Sequence, residues 1–156
     1  MKFFLVTCVS ASEKWSTEAA DLYQKKLKHF ISFDLKELKI KKSGRDEKEY
    51  KIKSDSDALL EEIQSDDFIV LFDERGESLD SRKFSEKLNL ILLSGKKRAL
   101  FIIGGAYGVD DRVRQRANLK ISLSKMVMNH LVAQTVALEQ IYRGFTLLKN
   151  IPYHND

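Results

Sequence analysis

Three glycines fall within five residues at Gly104-Gly105-Ala106-Tyr107-Gly108, directly after the apolar run Ala99 to Ile103. Without a Cβ, backbone there can take positive φ and approach a ligand closely, or simply turn tightly; the spacing leaves both readings open. It is not the GxGxxG of a dinucleotide fold, and no Lys-Ser/Thr follows as in a phosphate-binding loop. A second stretch, Leu123-Ser124-Lys125-Met126-Val127-Met128-Asn129-His130, mixes hydroxyl, ammonium and thioether groups. Such a loop can wrap an adenine ring with backbone hydrogen bonds and apolar contacts. Equally, Met126 and Met128 can fill core gaps, with Asn129 as a helix cap. A third stretch joins Glu139-Gln140-Ile141-Tyr142-Arg143-Gly144-Phe145 to the tail Asn150-Ile151-Pro152-Tyr153-His154. Tyrosine and histidine suit stacking on an extruded base and proton handling, and arginine binds phosphate or a base edge. A tail docked for purely structural reasons is the other reading.

Other chemistries lack their residues. His29, His130 and His154 are far apart in sequence, and no HxxxH, CxxC or carboxylate cluster has metal-ligand spacing, so no metal is expected. There is no G-x-S-x-G elbow, and Cys8, inside a strand-like run, reads as a small core residue.

The elements that must position these groups alternate along the chain. Lys2 to Val9 reads as a strand. Ser12 can cap a helix, along which Trp15, Ala19, Leu22, Tyr23, Leu27 and Phe30 form an apolar stripe. Phe33 to Ile40 suggests a second strand, Lys41 to Lys53 a charged loop, and Leu59, Leu60 and Ile63 a helix. Phe68 to Phe72 reads as a buried strand, with Asp73-Glu74-Arg75-Gly76 as its exit turn. Phe84 to Leu92 marks a helix, Ala99 to Ile103 a strand, Asp110 to Arg116 a short helix, Leu119 to Leu123 a strand and His130 to Leu148 a long helix. Such alternation predicts an α/β fold: a mostly parallel sheet, helices on both faces, and ligands at the carboxyl ends of strands. The loops after Phe72, Ile103 and Leu123 are therefore the ones to watch.

At 156 residues, without linker-like or repetitive tracts, residues 1–156 are expected to form one domain. The single cysteine excludes an intramolecular disulfide and points to a reducing, cytoplasmic setting. Met1 to Ser12 superficially imitates a secretory signal through its basic residue, apolar stretch and Ser10-Ala11-Ser12, but a buried first strand accounts for it better. The longest uncharged stretches fall short of the ~20 residues of a membrane span. A formal charge of +4 permits a polyanionic partner without requiring one. Eight basic against four acidic residues between Lys36 and Lys53, with smaller clusters at Lys96 to Arg98 and Arg112 to Arg116, can be solvated faces or phosphate contacts.

Phe101-Ile102-Ile103-Gly104-Gly105-Ala106-Tyr107-Gly108, then Ser122-Leu123-Ser124-Lys125-Met126, Glu139-Gln140-Ile141-Tyr142-Arg143 and Pro152-Tyr153-His154, taken in that order, resemble the RlmH group of SPOUT methyltransferases over essentially the whole chain. The resemblance implies a C-terminal trefoil knot, which general folding rules would disfavour, and a homodimer. It implies S-adenosylmethionine held by Phe72, by Gly104 and Gly105, and by Leu123, Ser124, Lys125, Met126, Val127 and Met128, with no metal. The implied reaction methylates N3 of a pseudouridine in 23S rRNA within the assembled ribosome. Arg143, Tyr153 and His154 would then position the substrate and stabilise charge, with His154 placed to accept a proton. Two departures stand out: Asn129 where the family usually has proline, and Gly144 where alanine is common, the latter expected to loosen the last helix slightly. Competing readings are a SPOUT methyltransferase for another RNA such as tRNA, a non-catalytic RNA-binding module, and, more weakly, a nucleotide-dependent enzyme using Gly104 to Gly108 as a phosphate cradle.

Overall fold

A computed structural model describes residues 1–9, 11–40 and 47–155. Ser10 of the signal-like opening, and Lys41, Lys42 and Arg45 of the basic stretch, lie outside the described residues. The chain runs β1 (Lys2–Val9), α1 (Lys14–Leu27), β2 (Ser32–Lys39), α2 (Lys48–Glu62), β3 (Phe68–Ser78), α3 (Ser81–Leu93), β4 (Arg98–Ile103), α4 (Asp111–Arg116), β5 (Leu119–Ser122) and α5 (His130–Leu148). All five strands are parallel, in the order β2-β1-β4-β3-β5.

Alternation along the strands divides the core in two, because successive side chains leave opposite faces of the sheet. Phe3, Leu5, Val70, Phe72, Phe101 and Ile103 face one side, where they pack with Leu27, Leu88, Leu138, Ile141 and Phe145 of α1, α3 and α5. Phe4, Val6, Cys8, Leu71, Leu100 and Ile102 face the other, against Leu59 of α2 and Val113 of α4. The expected sheet with helices on both faces is thus present, and Cys8 is core. Segment 123–129 carries the chain from edge strand β5 to α5, which lies against α1, α3 and β1.

Four local expectations are corrected. The expected turn at Asp73 to Gly76 is instead strand: β3 continues to Ser78, pairing irregularly with β5 through a register shift between Phe72 and Glu77. Gly76 permits this, since a Cβ there would lie 2.5 Å from the Ile121 nitrogen and 2.6 Å from the Lys120 carbonyl carbon. Residues 48–53 belong to α2 rather than to a loop. Helix α1 is capped by Glu13 and not Ser12, through reciprocal bonds between Glu13 and Ser16, and its buried face is Ser16, Ala20 and Leu27. Trp15 and Leu22 of the expected stripe are instead 42% and 50% exposed. Gly144 lets α3 approach α5: a Cβ there would collide with the Leu88 side chain, and the Ser85 hydroxyl donates to the Gly144 carbonyl at 2.9 Å.

Gly76→Ala would press a methyl into the β5 backbone, which cannot rotate away as a side chain can. The substitution is expected to lower stability by about 1–3 kcal/mol, read from urea unfolding; unchanged stability would mean that β3 and β5 do not approach so closely.

Candidate active site

A cleft opens at the carboxyl ends of β4 and β5, beside the middle of β3 where its pairing with β4 stops, on the side of the sheet covered by α3 and α5. Phe72, Asp73, Glu74 and Ile103 form one wall; Leu123 to Met128, with Ala133 of α5, form the other. The expected cofactor residues Phe72, Leu123, Ser124, Lys125, Met126, Val127 and Met128 therefore meet in one place. Phe72 reaches the cleft from the core, where it stacks on Phe101 at 6.2 Å between centroids. Within the loop the Ser124 hydroxyl accepts from the Met126 amide at 2.9 Å, while the Ser122 hydroxyl donates to the Ser124 carbonyl at 3.0 Å. Met126 and Val127 do not fill the core, being 79% and 92% exposed.

Gly104 and Gly105 are not among the cleft's lining residues. They follow Ile103, which is, and their lack of a Cβ serves contacts within the protein. A Cβ on Gly104 would meet Val109 and the Gly108 backbone, and one on Gly105 would collide with the Asp55 carboxylate. The Gly108 amide donates to the Gly105 carbonyl at 2.9 Å, and Gly108 has φ 79°, so the run forms a tight turn.

Asp73 anchors the cleft's rim. Its carboxylate accepts from Arg114 at 3.0 Å and from the Arg75 amide at 2.9 Å. Burial pushes this carboxyl up, but the Arg75 amide and the Arg114 guanidinium outweigh it and hold Asp73 below the ordinary value of 3.8. Four other cations of these stretches are likewise engaged: Arg112 pairs with Asp57 and Asp110, Arg116 donates to the Gln64 carbonyl, Arg98 pairs with Asp67 and Lys96 with Asp66. These two basic clusters thus hold loops together.

The tail returns to α5 through a Schellman turn. Asn150, at φ 53°, donates its amide to Leu147, and the Ile151 amide reaches back to Thr146 at 2.9 Å. Asparagine tolerates the left-handed region better than most residues, and the turn brings Tyr153 and His154 against Arg143. The three expected catalytic residues are thereby together, around a fourth that residue spacing had not singled out. Glu139 Oε1 accepts from Arg143 Nε at 3.0 Å and Nη2 at 2.5 Å, and from the Tyr153 hydroxyl at 3.1 Å. Arg143 also lies 4.8 Å from the Tyr153 ring centroid. Its spacing of four residues from Glu139 on a helix reads as an ordinary surface ion pair, so only the folded tail reveals the hub.

The protonation states follow. The hydrogen bonds to Glu139 hold Arg143 firmly cationic. Burial, a hydrogen bond with Tyr23 and the Glu139 carboxylate push the Tyr153 phenol up, so it remains protonated. Arg143 Nη1 lies 3.2 Å from His154 Nδ1. Arginine has only donors, so Nδ1 accepts and a neutral His154 carries its proton on Nε2. In this arrangement the Nδ1 lone pair of His154 is taken by Arg143.

A second, larger cavity of about 530 Å³ adjoins the cleft, with Leu123 lining both; His154 borders it, together with Ser81, Arg82 and Gln140.

A parallel α/β sheet with a cleft between the ends of its central strands and a loop leading into the last helix is the architecture of a SPOUT-type methyltransferase. The family model described as predicted SPOUT methyltransferase matches residues 1–154, and the chain belongs to this family. Among its relatives are proteins named ribosomal RNA large subunit methyltransferase H. That of Bdellovibrio bacteriovorus is 56% identical over 155 residues, covering 99% of both chains. That of Syntrophotalea carbinolica is 38% identical over 155 residues, again 99% of both, and that of Christiangramia forsetii 40% identical over 154 residues, covering 96% of this chain and 97% of its own.

The Asp73–Arg114 pair has a pH signature. A carboxyl held below its ordinary value stabilises the fold above about pH 4, and that contribution disappears as pH falls through the lowered value. Arg114→Met is expected to cost about 1–3 kcal/mol at pH 7, with the deficit shrinking below pH 4 in urea titrations. A deficit independent of pH would assign the effect to packing.

Proposed function

We propose that this chain methylates N3 of a pseudouridine in 23S rRNA of the assembled large ribosomal subunit, using S-adenosylmethionine and acting as a homodimer in the cytoplasm. The observation that carries this reading is the junction of the Phe72–Met128 cleft with the cavity bordered by His154, beside the Glu139–Arg143–Tyr153 cluster. Relatives 38–56% identical over nearly their full length are named for methylation of large-subunit ribosomal RNA.

The cleft's residues fit a sulfonium nucleoside. Phe72, Ile103 and Leu123 offer apolar walls to an adenine, the loop backbone offers polar edges, and Asp73 and Glu74 supply negative charge near a cation. Gly104 and Gly105 would then help through the turn that ends β4. The cleft measures about 160 Å³, smaller than a typical ligand cavity of roughly 300–1,000 Å³. Binding therefore requires the exposed Met126 and Val127 to move, and that exposure leaves them free to do so. When bound, S-adenosylmethionine supplies an electrophilic methyl group.

The protein's own part is electrostatic. The target imide nitrogen must lose its proton before or during attack, and the fixed charge of Arg143 favours the resulting anion. The Tyr153 hydroxyl, donated to Glu139, and His154, which accepts from Arg143, hold that guanidinium in place from both sides. Glu139 keeps the guanidinium oriented. No protein metal ligand is called on. Exposed Trp15 and Leu22 on α1 and Val132 on α5 leave apolar surface on two adjoining helices, which a second copy would cover. Membership of the SPOUT family supports the expected C-terminal trefoil knot. Shape and phosphate contacts within the ribosome would suffice for docking a protein of charge +4.

Calorimetry should show S-adenosylmethionine binding, sedimentation should show a dimer, and methylation should appear at one pseudouridine of purified ribosomes, read by mass spectrometry. Arg143→Ala, Tyr153→Phe and His154→Ala are each expected to slow transfer by about 10²-fold or more while leaving cofactor affinity within a few-fold of normal. Undiminished turnover in all three would remove the cluster from the mechanism. Absence of cofactor heat would favour a binding module, and methylation of tRNA alone would redirect the substrate.

A further inference from the structure

The cavity of about 530 Å³ between the start of α3 and the last helix has been given no ligand of its own, and its size suits one nucleotide. Gln140 borders it, and this amide's orientation is fixed from both ends. Its Nε2 donates to Glu139 Oε2 at 2.6 Å, and its Oε1 accepts from the Ser81 hydroxyl at 2.9 Å. A carboxylate only accepts, so the amide nitrogen must face Glu139 and the oxygen Ser81. A primary amide has two N–H groups and two oxygen lone pairs. These two bonds use one of each, leaving one donor and one acceptor.

That remaining pair matches a feature of the expected target. Pseudouridine is joined to its sugar through carbon, so N1 keeps a hydrogen beside the C2 carbonyl. In uridine the sugar occupies N1. An amide can accept from N1–H and donate to the C2 oxygen together, and this edge leaves N3 uncovered for reaction. The same Glu139 that orients Gln140 through Oε2 orients Arg143 and Tyr153 through Oε1. Base reading and charge stabilisation are thereby coupled through one carboxylate.

The geometry points to the Ser81–Gln140–His154 cavity as the binding site for the target base, with Gln140 as the residue that distinguishes pseudouridine from uridine. This rests on the reaction proposed above. Gln140 is a specificity residue, and Ser81 acts through it as a positioning residue.

The test compares transfer rates on two ribosome preparations, one carrying pseudouridine at the target and one carrying uridine there because the modifying synthase is absent. The wild-type protein should prefer the first. Gln140→Met, similar in volume but unable to hydrogen bond, should lower that preference by about 10-fold or more, with thermal unfolding and S-adenosylmethionine binding unchanged. Ser81→Ala, a milder change, should lower the preference in the same direction and remains informative if the methionine variant does not fold. A preference preserved in a folded Gln140→Met, or in Ser81→Ala where that variant does not fold, overturns the assignment while leaving the methyltransferase reading intact. Wild-type protein that transfers no methyl to either preparation overturns both. Wild-type protein that does not distinguish the preparations overturns the assignment alone.

Discussion

Everything the site does depends on how α5 is fixed against the sheet. Leu138, Ile141 and Phe145 are almost completely buried, between 0% and 2% exposed, yet apolar packing alone tolerates small slides of a helix. Gln134 removes that freedom. It is 1% exposed, accepts from the buried Thr7 hydroxyl of β1 at 3.0 Å and donates to Glu37 of β2 at 3.1 Å. Moving it would leave buried polar groups unmatched, at a cost of about 1–3 kcal/mol. A one-residue slip would also turn the helix by about 100° and carry Glu139, Gln140 and Arg143 away from the cavity. The first half of α5 thus sets the register in which the second half presents its chemistry.

With that register fixed, one negative charge organises the reactive groups. Glu139 holds Arg143 in a geometry in which the guanidinium still reaches His154, and it takes the Tyr153 hydroxyl as well. Tyr142 meets Tyr153 edge-on at 4.9 Å, and Lys26 of α1 lies 5.0 Å from the Tyr142 ring centroid. The cluster therefore ties the tail to α5 and α5 to α1. Such a mesh costs little when the tail is already turned back by Asn150, because the backbone entropy has been given up in the Schellman turn.

Much of this was legible before any coordinates. Periodicity located every described strand and helix, since buried strands and one-sided helices leave different apolar rhythms. It failed where the pattern is shared by two outcomes. Asp73 to Gly76 has the composition of a turn, yet Gly76 allows a close crossing of strands, which composition cannot distinguish. Trp15 and Leu22 keep the spacing of a buried stripe while remaining exposed, because a helix with apolar residues on two faces does not declare which one meets the sheet. Within the site, the loop after Leu123 was marked by its mixture of groups. Tyr153 and His154 were marked as unusual for a terminus. Glu139 and Gln140 stand in the same stretch as Arg143, but their roles arise from Tyr153, 14 residues away, and Ser81, 59 residues away, which helical spacing does not encode.

Asn129 illustrates how a departure from a family pattern can be absorbed. Members of the RlmH group usually have proline there, which restricts φ to about −65° and limits the freedom of the loop before α5. In this chain Asn129 has φ −56° and ψ 146°, within the range proline would impose, and its side chain accepts from the Leu131 amide at 2.9 Å. Proline would gain roughly 0.4–1 kcal/mol through the unfolded chain. An asparagine cap contributes typically about 1 kcal/mol through the folded one. The two are of similar size, so the junction keeps its geometry while the origin of its stability changes. The difference falls on the loop: proline stiffens the backbone itself, whereas the cap fastens only the start of the helix. Segment 123–128 is therefore secured at its far end by a side-chain bond, and within it the Ser124 hydroxyl holds the Met126 amide.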